Sequence, residues 1–489
     1  MTQGSQPQRY LDLAFRGAIL LLAISAPVSI AATQISWSLA LLFWLIRLIW
    51  IRPTLKREPF DLAVVAFVGF SLISSFFSYE PEVSLRKMVS VSLVSIAYLV
   101  YSAMKDGKMR RWTVGLLLAS ALVSAIYTLG LTAVGRNLKV SKLAPDSPLI
   151  TVGVKENDTI ISANGVRVNS PEELAAAVAA SAGIAKIHIY RYELFFDYDL
   201  PRATLPSGMN AAETFGIADW SRGRDVRAAG FYGHYTTYAE ALQLIASLAL
   251  GMLVMAPGGL FARSRLILAA SLAAFCAALF LTVTRASWAG FAVSAALIVL
   301  LGASRKAIII CILCAIPIAA GGLYYLQQKR NVAFVDPNDA STTWRTTVWR
   351  EGFTVLVSNP RHLAVGIGMD SLKTHWQDWG MFDNGNLALG HMHSTPLQIA
   401  FERGVPALLA WVVWMFYYLR MLWKGRKEEH RDWFERGVLL GALGGTFGFL
   451  SGGLVHNNWG DSEVAMIFYL IMGVCLSITL NSKKGPVAS

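Results

Sequence analysis

The chain has 489 residues, of which 55% are hydrophobic and only 15% charged, against roughly 25% charged in an ordinary soluble domain. Its net charge of +12 sits in short basic clusters between long apolar blocks, the distribution that orients helices in a bilayer. That placement excludes nucleic acid as the partner of the positive charge.

In chain order, twelve membrane spans are expected near residues 14–32, 36–51, 61–78, 87–104, 112–134, 236–256, 266–284, 286–303, 306–325, 396–422, 435–455 and 461–480. The first apolar stretch has no A-x-A-like cleavage site, so a removable signal peptide is not expected. Arg9 and Arg16 precede the first span, while the turn around Thr33 to Ser36 is uncharged. Arg52, Lys56 and Arg57, then Lys105 to Arg111, Arg263 with Arg265, Arg305 with Lys306, Lys424 to Arg436, and Lys483 with Lys484 fall in every second loop. The positive-inside bias then puts both termini in the cytoplasm. Cys276, Cys311, Cys314 and Cys475 all lie in apolar blocks. The C-x-x-C pair has no His or second pair beside it, so it is read as helix packing.

The expected architecture is an all-α polytopic membrane protein of about 12 transmembrane helices with a small α+β insert. Spans one to five occupy 1–134, the insert 135–205, spans six to nine with their preceding segment 206–325, a large outward loop 326–395, and the last three spans 396–489. In the insert, Asn164-Gly165 between apolar runs marks a hairpin, Pro171-Glu172-Glu173-Leu174 opens an Ala-rich helix, and 185–191 alternates like a strand. About 60 residues here, with their Asp158-x-Ile160-x-x-x-Asn164-Gly165 core, resemble a bacterial PDZ domain. Asn157 stands where that family has Gly, and a carboxylate-binding loop is not evident. The insert is thus either a spacer or a docking module for a periplasmic protein partner.

The candidate chemistry gathers in the outward segments. Arg285 lies in the short turn between the seventh and eighth spans. A cation there opposes the positive-inside bias and costs up to about 3 kcal/mol near hydrocarbon, so it either snorkels or binds an anion. Arg227 precedes the sixth span. Arg345, Trp349, Phe353 and Leu356 recur at helical spacing, predicting an amphipathic interfacial helix that ends at Asn359-Pro360. In His391-Met392-His393-Ser394-Thr395-Pro396-Leu397-Gln398, Thr395 and Gln398 match a capping box and Pro396 a first helical position. His393 would then stand above a helix N-terminus, which favours an anion and a neutral, proton-accepting imidazole. The bland alternative is an interfacial histidine, and the i, i+2 spacing without nearby carboxylates argues against a metal pair with His391. His456 and Asn457 join the last two spans and either line the site or form a polar turn. Gly441, Gly444, Gly445, Gly448 and Gly452 read as close helix packing. Glu402 and Arg403, inside the tenth span, face the bundle interior or a cavity.

Together these residues resemble the O-antigen ligase and polymerase superfamily over about residues 220–475. His393-Ser394, nine residues and Gly404 are similar to the ligase H-[NSQ]-x9-G-x-x-G pattern, with Ala407 at its last position. Arg345-x-x-x-Trp349, Asn359-Pro360 and Gly366-x-Gly368, together with Thr284-Arg285-Ala286-Ser287-Trp288 and Arg227…Gly230-Phe231…Tyr235, resemble its other segments. The resemblance implies a GT-C-like inverting glycosyltransferase of the bacterial inner membrane, acting on its periplasmic face among membrane lipids. The donor would be a polyprenyl (undecaprenyl)-pyrophosphate-linked glycan and the acceptor a hydroxyl of lipid A-core or another glycan. His393 would be the catalytic base and Arg227, Arg285 and Arg345 the pyrophosphate ligands. Trp349, Ser394, His391, His456 and Asn457 would line the site, with no metal or other cofactor. Within the family, a glycan polymerase or a protein O-oligosaccharyltransferase competes with this reading. Outside it, a lipid-linked glycan transporter does, kept open chiefly by Glu402 and Arg403, as does a structural role with the insert as working part.

Overall fold

A backbone inside hydrocarbon has no water to bond, so the apolar runs of this chain resolve as helices. The structure, a computed structural model, describes residues 6–51, 59–104, 106–191, 194–259, 261–330 and 340–481. It divides into Met1–Ala125 with Ala229–Ser489, and Ile126–Ala228. Arg52, Lys56, Arg57, Lys105, Lys483, Lys484 and the side chain of Cys314 lie outside the described residues.

The chain opens with α1 (Gln6–Ser25) and α2 (Ile30–Ile51). Their turn contains Pro27, which cannot continue a helix. Thr33 and Ser36, expected in that turn, therefore lie inside α2, where each hydroxyl bonds the carbonyl four residues back. Then come α3 (Asp61–Phe76), α4 (Pro81–Ser92), α5 (Ser95–Ala103) and α6 (Gly107–Val134), with α4 and α5 forming a single apolar stretch of 23 residues.

The insert follows with β1 (Leu138–Leu143), α7 (Pro148–Thr151), β2 (Thr159–Ala163), β3 (Val166–Arg167), α8 (Pro171–Ala179), β4 (Ile184–Arg191), β5 (Leu194–Pro201), α9 (Ala211–Thr214) and β6 (Ile217–Arg222). The sheet runs β5-β4-β2-β1-β6, with β3 paired to β2. Asn164 and Gly165 take φ of 50° and 78° at the β2–β3 turn, the left-handed pair a tight hairpin requires. Asn157 takes φ 68°, a conformation Asn tolerates better than most residues. Asp158 is buried and grips the Arg191 guanidinium through both carboxylate oxygens, at 2.7 and 2.6 Å. Leu138, Ile160, Leu174, Ile187 and Leu200 fill a core of the insert's own.

The membrane unit resumes with α10 (Tyr235–Met255), α11 (Arg263–Leu281), α12 (Arg285–Gly302) and α13 (Arg305–Arg330). The second outward segment holds α14 (Ala340–Ser358), α15 (Pro360–Val365), α16 (Leu372–His375) and α17 (Met381–Asn384), before α18 (Thr395–Gly425), α19 (Trp433–Gly453) and α20 (Ser462–Asn481). The expected stretches fall largely in helices, the first being interrupted by the turn between α1 and α2, and among the described residues eight spans are long and apolar enough to cross a membrane. The glycines of α19 let backbones meet: a Cβ on Gly441 would stand 2.7 Å from Leu248 Cα, and one on Gly444 2.8 Å from Ser294 O. Arg110 meets Glu435 at 2.7 Å and Arg111 meets Asp432 at 2.5 Å, so the basic loops before α6 and α19 share one end of the bundle.

α18 is broken. Gly404 has φ 82° and ψ 166°, and Pro406 brings no N–H for the Glu402 carbonyl. The exposed acceptors are taken by another segment: Ile367 N–H donates to Phe401 O and Gly368 N–H to Glu402 O, both at 2.9 Å. Ser74 Oγ adds a 2.8 Å bond to Glu402 O. Glu402 itself is buried, with Oε1 accepting the Asp370 amide at 3.0 Å. A Cβ on Gly404 would stand 2.6 Å from Ala364 O. Gly404→Ala is expected to destabilise the protein by more than about 1 kcal/mol, since both the φ and the contact oppose it. Thermal unfolding in detergent reads the loss, and an unchanged midpoint would contradict this account.

Candidate functional site

The segment before α18 is shaped by hydrogen bonds to its own backbone. Trp349 Nε1 of α14 donates to Met392 O at 2.6 Å, and Met392 N–H donates to Gln398 Oε1 at 2.7 Å. The capping box expected of Thr395 and Gln398 is not formed. Ser394 is the N-cap, without a side-chain cap bond, and Gln398 reaches back past the helix end to Met392. Held on both sides, His393 adopts φ 45°, a left-handed conformation uncommon for a side chain of its size. Trp344 packs edge-on against its ring at 4.8 Å.

Thr395 ties this segment to the turn between α19 and α20. Its amide and its hydroxyl each donate to His456 O at 3.2 Å, and the hydroxyl also meets Asn458 Oδ1 at 3.0 Å. Three imidazoles are thereby gathered. The ring centres of His391 and His393 are 4.0 Å apart, those of His393 and His456 5.3 Å, and those of His391 and His456 5.7 Å. One ligand-capable nitrogen from each lies within 4.8 Å of the others, so their geometry admits a metal ion. The short His391–His393 spacing did not reveal this, because the third member comes from 63 residues further along. Behind His456, Nδ1 stands 2.6 Å from Oε1 of Glu240, a buried residue of α10. Glu240 escaped sequence reading because a single acid in the first turns of an apolar helix carries no pattern.

Burial, aided by His391, His456 and the Arg345 guanidinium, holds His393 down to about 2. Burial, with His456 first among the neighbouring charges, holds His391 at about 4. Both are therefore neutral at pH 7. The helix end invoked from sequence is not among these causes. Arg345 lies on α14 with Nη1 on Ser341 Oγ at 2.7 Å, and its charge is felt at both histidines. Its helix buries Val348, Val355 and Leu356, while Phe353, expected on the same apolar face, is 59% exposed. The reason is Gly352, which brings the other face of α14 against Met392.

Arg285 opens α12, half-buried. Its neighbours Ala286 and Ser287 line a small cavity with Glu240, Gln243 and Asn458. Asn457 is half-buried in the turn beside His456. Arg227 is buried and belongs to the other unit, just before Ala229.

The family model for O-antigen ligase matches residues 268–412, from within α11 to the middle of α18. Over those residues the chain is similar to the O-antigen ligase domain, which supports the O-antigen ligase superfamily. No curated protein matches the chain. The O-antigen ligase match contains Arg285, Arg345, Trp349, His391, His393 and Ser394, whereas Glu240, His456 and Asn457 lie outside it. The match supports a ligase- or polymerase-like enzyme, a family in which a lipid-linked glycan donor and a glycan acceptor are implied in general.

A lowered pKa means protonation only at more acid pH, so both rings should keep neutral-imidazole 15N shifts from about pH 8 to about pH 5.5. Protonation of either near the ordinary value of about 6.5 would contradict the burial described.

Proposed function

We propose that the protein transfers a glycan from a polyprenyl-pyrophosphate carrier to an acceptor sugar hydroxyl of lipid A-core. The observation that carries this reading is His393: a neutral imidazole beside two others, within the field of Arg345, inside the O-antigen ligase match. Transfer would occur at the periplasmic face of the inner membrane, in a GT-C-like fold with cytoplasmic termini. The meeting of two basic loops at one end of the bundle supports that orientation.

In this mechanism His393 accepts the acceptor's hydroxyl proton as the oxygen attacks the anomeric carbon. The new glycosidic C–O bond forms as the bond to the lipid pyrophosphate breaks in line, inverting the centre. Arg345, with Arg285, would hold the pyrophosphate and stabilise its growing charge, a task that cations of the chain perform without a metal. A base held down to about 2 is a weak one. The bound pyrophosphate would correct this, because a neighbouring anion favours imidazolium and raises the pKa toward the working range. Glu402, which kept a transport pathway open on sequence grounds, is occupied with the Asp370 amide at the break of α18.

Purified protein should be given the polyprenyl-pyrophosphate glycan together with lipid A-core, a second lipid-linked glycan and a periplasmic protein. Product is expected on lipid A-core. His393→Ala should lose about 10²–10⁴-fold in rate, the span of a general base. Arg345→Ala should weaken productive donor use by roughly ten- to a hundredfold, as loss of a charge-assisted bond would. Product on the second lipid-linked glycan would make the protein a polymerase, and product on the protein an oligosaccharyltransferase. Full activity of His393→Ala would remove the proposed base.

A further inference from the structure

The three histidines carry more than a base requires. A general base needs one imidazole and an orienting partner, yet His391, His393 and His456 converge from two separate loops. All three are only partly buried. Imidazole nitrogens can present the lone pairs that transition-metal coordination demands. Glu240 completes the pattern. Its carboxylate stands 2.6 Å from Nδ1 of His456, the outer-shell arrangement that leaves Nε2 of a metal-bound histidine for the ion. Glu240 Oε2, His393 Nδ1 and His456 Nδ1 are buried and make no hydrogen bond among the described residues. The Glu240–His456 approach is therefore a close ion-pair distance and not yet an aligned hydrogen bond.

We infer that His391, His393 and His456 form a site for one Zn²⁺-class transition-metal ion, and that filling it silences transfer. The second half rests on the proposed role of His393 as base, because a lone pair given to a metal cannot accept a proton. Imidazole ligands lie about 2.0–2.1 Å from zinc, so nitrogens within 4.8 Å of one another must close inward modestly. His391 must also give up a bond, since its Nδ1 now accepts the His393 amide at 3.1 Å. His393 and His456 are therefore the primary ligands and His391 the one recruited. The donor set of imidazole nitrogens suits Zn²⁺, Co²⁺ or Cu²⁺ and disfavours Mg²⁺ and Ca²⁺, which seek oxygen.

The test needs no substrate. Purified full-length protein, stripped with chelator, is titrated with Co²⁺ alone, and the intense visible absorption of a four-coordinate ion is followed. One equivalent per chain is expected, displaced by Zn²⁺ and indifferent to Mg²⁺. His393→Ala and His456→Gln should each abolish the band, and Glu240→Gln should weaken binding by about 10–100-fold. Size-exclusion profiles of each variant establish folding, and Glu240→Gln supplies a graded variant should a histidine change fail to fold. His375, beside Glu80 and Asp378, belongs to a different cluster, and His375→Ala should leave the band unchanged. No absorption up to millimolar Co²⁺, or a band lost in His375→Ala but kept in His393→Ala, would overturn the site. Zn²⁺ inhibition of the transfer assay, reversed by chelator, tests the second half. Binding without inhibition would keep the metal site and overturn its link to the base, whereas absence of any transfer leaves the Co²⁺ result standing by itself.

Discussion

A helix in hydrocarbon cannot leave carbonyls bare, because each unsatisfied group costs several kcal/mol. α18 breaks at Gly404 and Pro406, and the rest of the outer region is arranged around that requirement. The Phe401 and Glu402 carbonyls recruit Ile367 and Gly368, which anchors the segment after α15 to the bundle. Gly366 is permitted there because it lacks a Cβ where the two backbones approach, and Gly368 because a Cβ would collide with the Ser78 side chain. With that segment fixed, α14 lies where Trp349 can hold Met392, and Met392 in turn sets the loop that presents His393. The motif glycines and the histidine are therefore one mechanical system, although the glycines touch nothing reactive.

Thr395 supplies the second connection. Its bonds to the His456 carbonyl and to Asn458 turn two loops, each polar and short, into a single surface. Burial in that surface keeps His391 and His393 neutral. The same burial that keeps His393 neutral would weaken it as a base, which the proposed mechanism offsets with a bound anion.

Much of the fold was legible because membrane helices obey length and hydropathy, and the insert's hairpin because Asn164-Gly165 has a fixed turn chemistry. The start of the chain was misplaced where Pro27 outweighed hydropathy, moving the first turn ahead of Thr33. β6, which pairs with β1 beyond residue 205, carries no period that distinguishes it from loop. At the site, His393 was legible from its neighbours in sequence. The gathering of His456 and Glu240 was not, since tertiary contacts bring one from the turn between α19 and α20 and the other from α10, both far from His393 in sequence. Gln398 misled for a related reason: its side chain serves Met392 instead of the helix end.

The position of His456 and Glu240 outside residues 268–412 has an evolutionary consequence. A recombination event that exchanged only the matched block would move His393 and Arg345 into a host whose α10 and final turn had been shaped beside another sequence. The imidazole cluster and the carboxylate behind it would have to be rebuilt together. The constellation therefore depends on the whole bundle, and a substitution in the flanking helices can alter it as directly as one within the block.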